Sequence, residues 1–298
     1  GVVVDAGVVV DAGVIVDAGV IVDAGVVDAG AVVDAGALVD AGVDAGAVDA
    51  GPAWTQLAGG DFHTCGLRSD GSIWCWGFPQ DGRLGFDAGA LDFVATPTLV
   101  PPFVPVTQLA SGGNTTCARS TTGAVWCWGE NLYGQLGDGT VNPSFTPRQV
   151  QNLSDAVEVA VGYGFACARR ATGTVVCWGK NSQGELGAGS TASTSPTPLA
   201  VVGLTQVEQL VAGYSTVCAR SGTAAWCWGS NTSGQLGVTG GNRNSPVAMS
   251  TLTNVAGIAV GYGHVCSVQT AGTAQCLGHG SSGQLGDGVD TLGSSLTP

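Results

Sequence analysis

Lysine is almost missing from this sequence: Lys180 is its one example in 298 residues, and charged residues of every kind make up 10%. A surface that grips a nucleic-acid backbone needs clustered Lys and Arg. The nine bases are scattered, so nucleic acid is not expected as a partner. Long solvated helices, which draw on Glu, Lys and Arg, are disfavoured for the same reason. No run of about 18 uninterrupted apolar residues occurs, so no transmembrane segment is expected. The chain opens on Gly1 with neither Met nor a signal sequence, which points to a processed form or an excerpt of a longer protein.

Negative charge is concentrated in one place. Residues 1–51 hold nine Asp and no base, within nine Asp-Ala-Gly units spaced by Val, Ile or Ala, while the remainder carries thirteen acids against nine bases. The spacing of the units shortens from six residues to four or five. A stacked solenoid needs a constant period so that each coil covers the last. Residues 1–52 are therefore expected to form a flexible low-complexity linker, with strand order as the alternative in its Val-rich first part. Each Asp is flanked by Ala and Gly alone, so the convergent oxygens of a calcium loop are not foreseen.

Glycine is abundant, at 50 residues, and from Trp54 onward it belongs to a cassette that recurs five times. An apolar run such as TQLAGG or VEVAVGYG leads into a Cys-centred strand, a turn and a Trp-Cys-Trp strand. Gly-x-Leu-Gly follows (GRLG, GQLG, GELG, GQLG, GQLG), then Thr-Pro or Ser-Pro and a further apolar run. Four short strands in about 50 residues match one blade of a β-propeller.

The cysteines pair by spacing as Cys65/Cys75, Cys117/Cys127, Cys167/Cys177, Cys218/Cys227 and Cys266/Cys276. If each pair lies directly across an antiparallel hairpin, a ten-residue spacing leaves a three-residue loop, such as Ser69-Asp70-Gly71 or Thr121-Thr122-Gly123. Gly then falls where such a loop needs a left-handed residue. The nine-residue pair leaves Gly222-Thr223, with Gly first, as a type II′ turn requires. The same register sets Gly66 opposite Trp74, Ala118 opposite Trp126, Ala168 opposite Val176 and Ala219 opposite Trp226, a small residue making room for a large one. The fifth repeat has Ser267 and Gln275 there. Cys75 points to one side of its strand while Trp74 and Trp76 point to the other. A strand apolar on both sides implies blades stacked face to face.

Paired cysteines could be disulfides, metal ligands or buried thiols. Zinc sites favour closer spacings and four ligands, and only His63, His264 and His279 are available to help. Five structural disulfides are the preferred reading, each stabilising its hairpin by on the order of 2–3 kcal/mol and implying an oxidising compartment. The tryptophans could form a stacking surface, but their place beside Cys on apolar strands favours blade core. Gly-x-Leu-Gly lacks the Lys of a phosphate loop and reads as a turn with a buried Leu. His63 and His264 occupy equivalent places, which suits a hydrogen-bonding blade residue. Asp61, Asp70, Glu130 and Asp138 are scattered over loops with no argued catalytic pair. No catalytic residue, metal site or cofactor is expected.

The run HTCGLRSDGSIWCWG followed by GRLG, with its four echoes, resembles the regulator of chromosome condensation repeat in a Cys- and Trp-containing bacterial form. The resemblance covers residues 53–298. It implies a β-propeller, usually of seven blades, and a non-enzymatic protein-binding surface, as in the family's guanine-nucleotide exchange factor and a secreted bacterial β-lactamase inhibitor. With five repeats the expected architecture is all-β, a partial or open ring of about five four-stranded blades. Asp-Ala-Gly tails resemble linkers of exported bacterial proteins, which places the chain outside the cell or on its surface, with a lipid anchor conceivable beyond the N-terminus. The first repeat carries an insertion at residues 86–105. Its Phe86, Asp87, Leu91, Asp92, Phe93 and Phe103 are the candidate partner-contacting residues, against the plainer reading of a surface loop. The function expected is recognition of a protein. Glycan binding is the alternative, with lyase, hydrolase or nucleotide-exchange activity behind it.

Overall fold

The computed structural model describes residues 2–5, 8–10, 52–288 and 294–298. In the Val-rich start of the tail, Val2–Asp5 and Val8–Val10 pair antiparallel. The linker expected over the rest of residues 1–52 falls almost wholly outside the described residues.

Trp54–Pro298 forms one compact unit. Its five four-stranded sheets are each an antiparallel meander in chain order. Blade 1 consists of Trp54–Gly59, His63–Arg68, Ile73–Gly77 and Val94–Leu99. Blade 2 is Val106–Gly112, Thr115–Ser120, Val125–Gly129 and Ser144–Gln149, and blade 3 is Ala156–Val161, Phe165–Arg170, Val175–Lys180 and Thr194–Ala200. Blade 4 is Gln209–Ala212, Thr216–Ser221, Ala224–Gly229 and Arg243–Ala248. Blade 5 is Val255–Val260, His264–Gln269, Ala274–His279 and the two-residue Ser294–Ser295. All-β architecture with five propeller blades is therefore observed as the repeat implied.

The hairpin register follows the cysteines. Cys65 faces Cys75, Cys117 faces Cys127, Cys167 faces Cys177, Cys218 faces Cys227 and Cys266 faces Cys276, and each pair is joined as a disulfide. Gly71, Gly123, Gly173 and Gly272 close the three-residue turns at φ of 83°, 87°, 78° and 84°, and Gly222 opens the two-residue turn at 58°. Residues with a Cβ rarely adopt this region.

Packing between blades is made by opposite faces of adjoining sheets. Cys65, Ile73, Cys75 and Leu84 of blade 1 share a core with Leu109, Ala118 and Trp128 of blade 2. The same arrangement joins blades 2 and 3, 3 and 4, and 4 and 5. Polar bonds repeat with it. The indole Nε1 of Trp128 donates to the Arg83 carbonyl at 3.1 Å, that of Trp178 to Gln135 at 2.9 Å and that of Trp228 to Glu185 at 2.9 Å. Each acceptor is the variable residue of the preceding blade's Gly-x-Leu-Gly. Leu84, Leu136, Leu186 and Leu236 of those turns are fully buried. Within the turns, Asn131, Asn181 and Asn231 accept from the amides of Leu136, Leu186 and Leu236. The recurring Trp and Gly-x-Leu-Gly are thus two halves of one joint.

Candidate functional site

Because each blade is a meander, its connections alternate between two ends of the stack. The first-to-second turns and the third-to-fourth connections lie at one end, called here the loop end. The second-to-third turns and the links between blades lie at the other.

At the loop end three tyrosines form a row, the first two stacked and the third tilted by 41° against the second. Tyr163, Tyr214 and Tyr262 each stand four residues before the first cysteine of their repeat, in the turns of GYG, GYS and GYG. The Tyr163 and Tyr214 ring centroids are 4.4 Å apart and those of Tyr214 and Tyr262 4.6 Å. Glycine makes that closeness possible. A Cβ on Gly162 would lie 2.6 Å from the Gly213 carbonyl oxygen, and one on Gly213 2.3 Å from that of Gly261, so the turns can approach only where no side chain intervenes. The Tyr163 amide donates to the Tyr214 carbonyl at 3.0 Å, locking neighbouring turns together. Burial, the Tyr163 hydroxyl beside it and the negative charge of Asp61 push the Tyr214 hydroxyl up to about 12.

Lys180 closes one side of the stack. Its Nζ lies 5.2 Å from the Tyr163 ring centroid and 6.0 Å from that of Tyr214, and 3.6 Å from the carboxylate of fully buried Glu185. Tyr262 stands at the other side with 73% of its surface exposed. Exposed Phe62 and Leu132 share this end of the molecule, Phe62 packed edge-to-face on Phe78.

Charge is divided between the two ends. Asp61, Asp81, Asp87, Asp92, Glu130 and Asp138 sit on loop-end connections, where Arg83, Lys180 and Arg243 are the bases. At the opposite end Arg68, Arg148, Arg170 and Arg220 are set against Asp70, Asp155 and Glu208.

The structure separates the six loop residues singled out in the sequence. Phe86 is half-buried against the core joining blades 1 and 2. Phe103 packs there too, its ring 5.5 Å from Trp126 and 6.1 Å from Trp128. Leu91 and Phe93 are 59% and 66% exposed, and Asp87 and Asp92 are exposed beside them. The fourth strand of blade 1 runs between Phe93 and Phe103, so Phe86 to Phe93 belong to the loop end and Phe103 to the other. The tyrosines were not singled out in the sequence. Their signal was present as a Tyr at the same offset from Cys in three repeats.

The buried His63 places Nε2 2.7 Å from Thr116 Oγ1 of blade 2, as a hydrogen-bonding blade residue. Burial first, and the Arg83 guanidinium second, hold its pKa down to about 4. Asp61 and Asp70 stand on separate connections of blade 1, and Glu130 and Asp138 share the third-to-fourth connection of blade 2. Among the described residues no three His, Cys, Asp or Glu side chains are grouped to hold a metal ion, and no helix is long and apolar enough to cross a membrane.

Comparison with known proteins centres on one repeat. The family model for the regulator of chromosome condensation (RCC1) repeat matches residues 70–119, 122–169, 172–220 and 224–268, and a second model of that repeat matches 54–83, 106–135 and 156–185. Human E3 ubiquitin-protein ligase HERC2 is 35% identical over 102 residues, which are 33% of this chain and 2% of that protein. The Xenopus laevis regulator of chromosome condensation is 33% identical over 98 residues, 33% of this chain and 23% of that one. Among solved structures, human WBSCR16 superposes with a TM-score of 0.73 at 19% identity, covering 82% of this chain and 66% of the other. Saccharomyces cerevisiae Prp20p, whose structure was described with its binding to Gsp1p and histones, superposes with a TM-score of 0.67 at 26% identity, covering 76% of this chain and 57% of the other. The chain thus aligns with a small part of these curated relatives and with less than two thirds of either solved structure.

Proposed function

The chain belongs to the regulator of chromosome condensation (RCC1) repeat family, and on that premise we propose that it is a non-enzymatic binding module that recognises a protein partner through the loop end of its propeller. One observation carries the reading: exposed Phe62, Leu91, Phe93, Leu132 and Tyr262 all belong to loop-end connections, on a framework whose blades are joined by buried cores. Aromatic and aliphatic side chains presented together on a rigid scaffold are the usual anchors of protein interfaces. Leu91 and Phe93 lead, because the partly buried Phe86 roots their loop against blades 1 and 2. Prp20p binds the proteins Gsp1p and histones, which makes protein recognition a natural use of the fold.

We further infer an exported or surface-tethered location, with residues 1–52 as the spacer to an anchor. The support is five disulfides, bonds that persist in oxidising compartments. Surface labelling of intact source cells with an antibody to the propeller tests this, and labelling confined to permeabilised cells would refute it.

A second reading, glycan recognition, draws on a cleft of about 310 Å³ between blades 3 and 4, lined by neutral polar residues including Gln183, Thr191, Asn242 and Asn244. The discriminating experiment presents the oxidised protein to arrays of surface proteins and of glycans. Protein binding that falls at least about tenfold in the double variant Leu91→Ser/Phe93→Ser supports the first reading. Glycan binding competed by free sugar, with no protein ligand, would replace it by the second.

A further inference from the structure

We propose that the loop end docks a basic segment of the partner polypeptide, with a lysine or arginine side chain seated on the ring of Tyr262. This rests on the protein-binding reading above and names the chemistry of what is bound.

Three observations converge. First, a cation already occupies the tyrosine stack: Lys180 lies over Tyr163 and Tyr214 at distances at which a cation is attracted to a ring face. Tyr262 leans against Tyr214 at a tilt of 41° and is 73% exposed to solvent. Secondly, the bases native to this end are already engaged. Arg83 is buried and bonded to Asn114, Asp81 and the Gln80 carbonyl. Lys180 is held by Glu185, and Arg243 by the carbonyls of Thr239, Gly241 and Asn242. Thirdly, the carboxylates of Asp61, Asp87 and Asp92 are on exposed loop-end positions. Asp61 lies close enough for its charge to act on the Tyr214 hydroxyl.

Aromatic rings backed by other rings lose little entropy on binding and attract cations through their faces. The excess of carboxylates at the loop end would speed encounter with a positively charged partner and repel an acidic one. Charge complementarity therefore selects a Lys- or Arg-bearing segment over a neutral or acidic one.

The test uses the full oxidised chain and two labelled nonapeptides, one rich in Arg and Lys and one rich in Glu. The basic peptide is expected to bind and the acidic one not, with affinity falling as salt rises. Tyr262→Ala is expected to weaken the basic peptide roughly tenfold, while Tyr262→Phe, which keeps the ring, binds as the parent does. The aspartates of residues 1–51 are identical in all variants, so attraction to them would not distinguish Tyr262→Ala. Equal binding by Tyr262→Ala and the parent overturns the proposal, as does a glycan signal that Tyr262→Ala abolishes. The Leu91→Ser/Phe93→Ser variant separates the two levels of inference. Should it lose a protein ligand while the basic peptide shows no dependence on Tyr262, recognition through the loop survives and the cation site falls.

Discussion

The side-chain amide of Gln56 brackets residue Leu109 of the next blade, accepting from its amide at 2.8 Å and donating to its carbonyl at 2.7 Å. Gln108 does the same to Val159, and Gln209 to Ile258. Blade 3 carries Glu158 at this place, which accepts from the Leu210 amide at 3.1 Å and from Arg169 at 2.7 Å. A carboxylate has no proton to return to the Leu210 carbonyl. The position in blade 5 is Gly257, which has no side chain to bridge with.

These bridges join first strands that share no sheet, so they set how blades sit on each other. Gln108→Ala removes the side-chain partner of both the Val159 N–H and the Val159 carbonyl in a half-buried setting. A loss of about 1–3 kcal/mol is expected, read as a lower denaturation midpoint at unchanged hairpin disulfide content. An unchanged midpoint would show that water replaces the amide without cost.

The disulfides differ in access. The cysteines of blades 1 to 4 are fully buried, whereas Cys266 and Cys276 are half-buried. Under mild reductant followed by alkylation and peptide mass mapping, the Cys266–Cys276 bond is expected to open first, since a thiolate must reach a sulfur to exchange with it. Removing a sealed bond by Cys117→Ala/Cys127→Ala should cost on the order of 2–3 kcal/mol in denaturant unfolding.

His63 makes stability fall with acid. Its folded pKa of about 4 lies below the ordinary value of 6.5, so the unfolded chain binds the extra proton between those limits. Its contribution is fully present above pH 6.5 and is lost as pH falls through 4, amounting to about 3 kcal/mol. Thermal denaturation across pH 4–7 should show this slope in the parent and a flatter one in His63→Gln.

Phe103 and Phe93 should answer substitution in opposite ways. Phe103→Ala takes a ring from between Trp126 and Trp128, at an expected cost of about 2–3 kcal/mol. Phe93→Ser, at an exposed position just before the fourth strand, should leave the denaturation midpoint within about 0.5 kcal/mol and act on partner binding alone.

Much of this molecule was legible in the chain because its rules are local. A ten-residue Cys spacing with Gly at the last loop position specifies a hairpin, its register and the face each side chain takes, since every interaction involved lies within one turn and two strands. Phe86, Asp87, Leu91, Asp92, Phe93 and Phe103 illustrate the limit. Sequence placed them in one insertion, and the strand running through it carried Phe103 to the far end, into contact with two tryptophans.

By itself, then, the sequence determined the blade: its strands, turns, disulfides and two apolar faces. Tertiary structure alone decided what lies on those faces. Leu57 and Leu109 hold the same place in their repeats, yet Leu109 is 1% exposed under blade 1 and Leu57 is 63% exposed at the head of the row. Tyr163, Tyr214 and Tyr262 came together for the same reason. Their contact depends on glycines in adjoining turns letting separate blades approach, and no single repeat contains that information.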